Sequence, residues 1–366
     1  MNALILTHIG LEDVSASEIK SLISASDVKT APGRVFFSCK SEQELVDLCY
    51  HGRTFSKVIL LLSSFKLSGV PDESILKDLK KFIDKTAAVK CERIGTHDFT
   101  SFDVEQILNK ELAKLYDVVI DHKRPQTTFF LLIDNSAAYF GVDFSGIDLG
   151  RRDYRIFLGT DALKGDIAAS LLHIAGYDTK NSLLDPFCRH GIIPIEAALY
   201  ATNTAPHKFC KEKFGFATIP NLKYELIDKE NDFKGTVIAM DDNFKHVSAS
   251  RKNTKIAGVV KSVEFSRTDL KWLDAKFGRN FLDLIITLPV QLGRSIADKT
   301  VEKVYHQLFY QAEFILKKTG RICLVMKRGV DLVKTKAAEF KFSVVSERKV
   351  MQGAEELTIL LFSKTC

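Results

Sequence analysis

Three aspartates in the C-terminal half of this chain each end a strand-like segment: Asp185 in NSLLDPF and Asp241 in GTVIAMDD after apolar runs, and Asp269 in SVEFSRTD. A carboxylate at the end of a buried parallel strand stands where cofactors bind, at the carboxyl edge of the sheet. There Asp241 can accept hydrogen bonds from both hydroxyls of a ribose. The stretch LLDPFCRHGIIPIEAALYA follows a strand and opens a helix, the position of a cofactor-binding loop. A lone loop histidine such as His190 serves packing more often than catalysis, so it is not paired with Asp185 as acid and base.

A second set of residues has the chemistry of a phosphate-contacting face. Arg93, His97, Lys110, Lys114, Lys123 and Arg124 carry charge, and Thr100 and Ser101 offer hydroxyl donors. The same charges also describe an ordinary solvated face. Arg151, Arg152, Tyr154 and Arg155 place three guanidinium groups and an aromatic within five residues. Such a cluster can clamp phosphates and stack on an unpaired base; the alternative is a salt-bridge patch between domains, with Asp153 and neighbouring acids.

The elements that must position these residues follow from periodicity. ALILTHIG and GRVFFSC read as strands around a helix at LEDVSASEIKSLI, and SEQELVDLCYHGRTFSKVILLLSSF gives a helix and then an apolar strand. That alternation predicts a ferredoxin-like unit over residues 1–65. A second unit is predicted over 66–145. It has an amphipathic helix at ESILKDLKKFIDK, a strand at AAVKCERIG, a helix at FDVEQILNKELAKLY opened by Ser101 and Asp103, and a hairpin of QTTFFLLID and AAYFGVDF across Asn135 and Ser136. From 146 to 366 apolar strands alternate with helices, including one at about Val301 to Lys317, which predicts a doubly wound, mostly parallel α/β sheet.

The 366 residues, 46% hydrophobic and 27% charged, have the composition of a folded protein with two or three cores. No apolar run reaches the roughly 18 residues that cross a bilayer, and Met1 to Gly10 lacks the pattern of a signal peptide, so a cytoplasmic location and no membrane partner are expected. The seven cysteines, Cys39, Cys49, Cys91, Cys188, Cys210, Cys323 and Cys366, form no CxxC pair and no His/Cys cluster at zinc spacing. They are expected to be reduced thiols, with no metal. A net charge of +6 is compatible with a polyanionic partner without requiring one.

The phrase R-x-G-x-H-x-F-T-S at Arg93, Gly95, His97, Phe99, Thr100 and Ser101 lies within CERIGTHDFTSFDVEQILNKEL. With the following KRPQTTFFLLID and AAYFGVDFSGIDLGRRDYRIF, it resembles the THUMP family of RNA-binding domains and its exit into a methyltransferase, over Lys66 to Phe157. The loop that begins at Asp185 resembles the D-P-F-C-G-S-G-T-I-P-I-E-A-A motif of THUMP-linked RNA methyltransferases. It matches at Asp185, Pro186, Phe187, Cys188, Gly191, Ile193, Pro194, Ile195, Glu196, Ala197 and Ala198. SASRKNTKIAGV is similar to a further family helix at Arg251, Asn253 and Gly258, and Lys164 stands at a family lysine. The resemblance implies a ferredoxin-like unit plus a THUMP domain (α+β), followed by a Rossmann-like methyltransferase domain. It implies S-adenosylmethionine held through Asp185, Phe187, Gly191, Asp241 and Asp269. It also implies RNA, most of all transfer RNA, contacted by Arg93, His97, Thr100, Ser101, Lys123, Arg124, Arg151, Arg152 and Arg155, with the N2 amino group of a guanosine as methyl acceptor.

Two departures from the family pattern bear on catalysis. The family's N-P-P-Y motif follows D-x-I-x-T, and its amide and neighbouring carbonyl orient the target amino group while its aromatic stacks on the flipped base. Here DLIITLPVQLG places the catalytic positions on Leu288, Pro289 and Gln291, with Val290 at the second proline. Leucine accepts no hydrogen bond; the carboxamide of Gln291 substitutes only if the loop is re-registered. Arg189 and His190 replace Gly and Ser of the cofactor loop, where a non-glycine residue costs about 1 to 2 kcal/mol and adds bulk. Two functions follow, an active methyltransferase with a divergent site or a silent relative that keeps RNA binding. A THUMP-linked thiolation enzyme would need an S-G-G-x-D-S loop, and the sequence has none.

Overall fold

Strand β1 (Asn2–Leu6) buries Ala3, Leu4 and Ile5 between two antiparallel partners, β3 (Arg34–Ser38) and β4 (Lys57–Lys66). With α1 (Glu12–Leu22), β2 (Ser26–Ala31) and α2 (Glu42–His51) the order is β-α-β-β-α-β, the ferredoxin-like arrangement expected. Strand β2 is an edge strand with no buried residue, so no apolar alternation announces it. The computed structural model describes residues 1–159, 163–233, 235–291 and 298–365.

The same sheet continues through the segment that resembles THUMP. Its strands are β5 (Thr86–Ile94), β6 (Val119–Ile120), β7 (Thr127–Asp134) and β8 (Ala137–Asp143), with helix α3 (Ser101–Tyr116) between β5 and β6. Strand β4 pairs with β8 from Ile59↔Asp143 to Lys66↔Ala137, giving an eight-stranded sheet in the order β2-β3-β1-β4-β8-β7-β5-β6. The structure therefore puts no break between residues 65 and 66. One compact unit holds Met1–Thr7, Ser15–Leu149 and His207–Ile227. The predicted β7–β8 hairpin forms, with Asn135 at φ 52 in its turn.

The helix expected at ESILKDLKKFIDK does not form. Single 3-10 turns at Glu73–Leu76 and Lys80–Phe82 flank Asp78, which is left-handed at φ 59. Tyr116 of α3 explains the break: its hydroxyl donates to the Leu76 carbonyl at 2.6 Å and accepts from the Leu79 N–H at 3.0 Å, taking backbone groups that a helix would pair internally. Leu76, Leu79 and Phe82 are still buried, so the apolar spacing reports burial without a helix.

The second unit comprises His8–Val14, Gly150–Pro206 and Asp228–Cys366. It begins at Gly150 rather than 146 and leaves out His207–Ile227. Its strands are β9 (Ser182–Asp185), β10 (Thr236–Asp241), β11 (Glu264–Arg267), β12 (Leu282–Thr287), β13 (Leu316–Met326), β14 (Phe342–Gln352) and β15 (Glu355–Lys364). Its helices are α4 (Gly165–Ala175), α5 (Ile192–Ala201), α6 (Phe244–Ile256), α7 (Leu273–Lys276), α8 (Asp298–Ile315) and α9 (Val330–Glu339). The sheet order is β11-β10-β9-β12-β13-β15-β14, parallel as far as β13, with β15 antiparallel between β13 and β14. One core packs Ile167, Leu171, Ile193 and Ile195 of α4 and α5, and the other packs Tyr305, Leu308, Phe309 and Val333 of α8 and α9. This is the doubly wound fold expected.

Chain order reverses between β9 and β12. Ligands bind outside the carboxyl ends of strands at such a switch point. The loops after Asp185 and after Thr287 leave the sheet there.

Among the described residues, no helix is long and apolar enough to cross a membrane. Among the described residues, Cys39, Cys49, Cys91, Cys188, Cys210 and Cys323 are buried and in no disulfide. Cys366 lies outside the described residues.

Candidate active site

Asp185 ends β9 and is almost wholly buried. One carboxylate oxygen accepts from the Phe187 N–H at 3.2 Å and from the Thr287 hydroxyl at 2.6 Å, across the switch point. Burial raises its pKa to about 7, against the lowering effect of those two hydrogen bonds and with a further rise from nearby Asp241. Phe187 lines a cavity of about 30 Å³ with Leu163, Asp185, Cys188, Arg189, His190, Ile192, Ile193 and Leu288. That volume suits a water or two.

Gly191 caps α5 at φ 82, and a Cβ there would sit 2.2 Å from the Ser250 hydroxyl, so glycine is required. Arg189 is also left-handed, at φ 46, in the place of the family's first glycine. Its contacts join the two sides of the site. Its N–H donates to Asp241 Oδ2 at 3.1 Å, and its Nη2 donates to the Pro289 carbonyl at 3.2 Å.

Asp241, at the end of β10, has further partners in the Asn243 N–H at 3.0 Å and His246 Nδ1 at 2.9 Å. His246 was not anticipated from the sequence; the available signal was its place in the first turn of the helix that follows the strand. The ring of His190 lies 5.8 Å from that of His246, and burial, then His246 and Arg189, lower its pKa. Asp269 follows β11, with an exposed carboxylate that caps the next turn and pairs with Lys271 at 3.3 Å. The three acids reach the same sheet edge, as their strand ends dictate.

In the loop after β12, Leu288 is buried. Gln291 is bound on all sides: Nε2 donates to the Pro289 carbonyl at 2.8 Å and to the Val325 carbonyl at 3.2 Å, and Oε1 accepts from the Lys327 N–H at 2.8 Å. Its carboxamide braces the end of β13 instead of facing a ligand. The Pro289 carbonyl thus has two donors, Gln291 and Arg189, and its capacity as an acceptor is filled.

The expected phosphate-contacting residues divide. Arg93 Nη1 meets His97 Nδ1 at 3.0 Å, and His97 Nε2 meets the Asn135 carbonyl at 2.8 Å, tying the phrase to the β7–β8 turn. The Thr100 hydroxyl accepts from the Asp103 N–H and donates to the Asp103 carboxylate, so Thr100, rather than Ser101, caps α3. Ser101 is the first residue of that helix. Lys123 and Arg124 are exposed, their N–H groups held by Asp121 Oδ1.

Arg151 is exposed and Arg155 half-buried. Arg152 corrects the expectation: it is 2% exposed and pairs with buried Glu196 at 2.8 Å, while the Tyr154 hydroxyl donates to the same carboxylate at 2.7 Å. A guanidinium so enclosed cannot reach RNA. The salt-bridge alternative named Asp153 and neighbouring acids; Glu196, in the E-A-A of the motif that begins at Asp185, is a partner it did not name.

The RMKL-like, methyltransferase domain family matches residues 152–358, and the RlmL ferredoxin-like domain matches residues 2–59. A tRNA (guanine(6)-N2)-methyltransferase of Methanocaldococcus jannaschii is 29% identical, the match covering 94% of this chain and 95% of the relative. A protein of the same description from Archaeoglobus fulgidus is 27% identical over 96% and 90%. TrmN from Thermus thermophilus shares the fold, with a TM-score of 0.77 at 22% identity over 100% of this chain and 99% of that one. The motif at Asp185, the switch-point loops and the family match agree: this chain belongs to the RMKL-like methyltransferase family.

Proposed function

We propose that this protein is a transfer-RNA methyltransferase that modifies the N2 amino group of a guanosine, with S-adenosylmethionine as donor, at a rate reduced by its altered loops. The observation that carries the reading is the end-to-end likeness to two tRNA (guanine(6)-N2)-methyltransferases, which extends through both units. The N-terminal unit, with its THUMP-like segment, binds the RNA in a cytoplasmic setting.

The acids of this chain fit the cofactor once Arg189 swings aside. Asp241 has the place to accept ribose hydroxyls, Asp269 lies at the adenine end, and Asp185, Phe187 and Gly191 form the loop beneath. S-adenosylmethionine supplies an electrophilic methyl group. The protein's part is to hold the guanosine amino group, and the Pro289 carbonyl, released by Arg189, keeps one acceptor position for it. Apo hydrogen bonds of this kind commonly rearrange when ligands bind. The test is nucleoside analysis of a tRNA transcript incubated with the protein and S-adenosylmethionine. N2-methylguanosine is expected, and its formation should be abolished by Asp241→Ala.

A second reading has its own observation. Leu288 offers no acceptor and the Gln291 carboxamide is fully engaged, which favours a silent relative that binds RNA only. Under that reading the transcript stays unmethylated although the protein binds it.

A further inference from the structure

Ile156, Phe157 and Leu158 expose 63%, 40% and 43% of their surface. Three adjacent apolar side chains in water ask for a partner. The backbone of Phe157 is nonetheless held at both ends: Asn253, fully buried, accepts from the Phe157 N–H at 3.0 Å and donates to the Phe157 carbonyl at 2.9 Å. The same amide nitrogen donates to the His190 carbonyl at 2.9 Å, so the aromatic residue is tethered to the cofactor loop.

Charge identifies the partner. Lys252 Nζ lies 4.9 Å from the Phe157 ring centroid. Helix α6, from Phe244 to Ile256, contains no acidic residue and exposes Lys245, Arg251, Lys252 and Lys255. An aromatic ring next to a field of cations is the combination that binds unpaired nucleotides, the ring stacking on a base and the cations tracking phosphates. The family's usual stacking aromatic is absent, because Gln291 stands in its place and is turned into the protein.

We propose that Phe157, with Lys252 beside it, is a stacking platform for an unpaired RNA nucleotide at the mouth of the cofactor loop. The inference rests on the reading of the protein as one that takes RNA.

The test uses the full chain. Trp272 is the sole tryptophan, so Trp272→Phe with Phe157→Trp leaves one emitter, at position 157. This protein is titrated with a tRNA transcript and with a blunt RNA duplex of equal length. Emission should be quenched by the transcript and unchanged by the duplex. Phe157→Leu, in the parent chain, should bind the transcript roughly tenfold more weakly, with an unchanged melting temperature because the ring is exposed. If the parent binds the transcript but emission does not change, or the duplex quenches equally, the platform is refuted and RNA binding stands. If the parent does not bind the transcript, the RNA reading falls and the platform with it.

Discussion

Arg189 links the two loops that depart from the family pattern. A single residue donates its N–H to the acid expected to hold the ribose and its guanidinium to the carbonyl expected to receive the target amine. A ligand must break that second, charge-assisted bond, of about 1.5 to 3 kcal/mol. Arg189→Gly should therefore raise the single-turnover rate of methyl transfer about tenfold or more; an unchanged rate would show that the guanidinium does not obstruct the amine's acceptor. Asp185 adds a pH dependence. Burial first, then Asp241, raises its pKa to about 7 against its two hydrogen bonds, so it is largely protonated below neutrality. A cationic ligand favours the ionised carboxylate, so binding should strengthen as pH rises from 6 to 8, and Asp185→Asn should flatten the profile. A parent profile already flat would separate Asp185 from the ligand. The replaced glycine was visible in the sequence. The reach of its side chain was not, because residue 289 becomes a neighbour of residue 189 only once β9 and β12 pair at the switch point.

At the scale of elements, the segment from Gly150 into α5 is fixed by a buried ion pair. Arg152 and Glu196 are almost wholly enclosed and Tyr154 completes the carboxylate's hydrogen bonds. Removing one partner of such a pair leaves an uncompensated charge and costs about 3 to 5 kcal/mol. Glu196→Ala should lower the melting temperature of the C-terminal unit by roughly 10 °C in calorimetry; a change under about 2 °C would mean that the pair relaxes into water. Sequence patterning served the strands well where they were central and apolar. It failed at β2, an exposed edge, and at ESILKDLKKFIDK, where Tyr116 took the backbone groups that the helix needed. It kept Arg152 with Arg151 and Arg155 among the RNA-contacting residues, beside the salt-bridge alternative, because composition alone cannot separate a buried guanidinium from an exposed one.

At the scale of the whole molecule, the ferredoxin-like and doubly wound folds were both legible from periodicity and motif. What was not legible is sharing. The first two predicted units form one eight-stranded sheet because β4 and β8 pair across the expected boundary. His207–Ile227, distant in sequence, belongs to that same unit. Likewise, the three acids and the loop after β12 reach one sheet edge through strand order alone. On the proposed function this assembly still transfers methyl groups, with a single backbone acceptor in place of the usual amide and carbonyl. Losing one positioning contact slows an enzyme about 100-fold. The most direct measurement is single-turnover methyl transfer from labelled S-adenosylmethionine to a tRNA transcript, with the product nucleoside identified. The predicted result is N2-methylguanosine at one position, formed on the order of 0.1 per second. No label above background, in protein that binds both the transcript and S-adenosylmethionine, would contradict it.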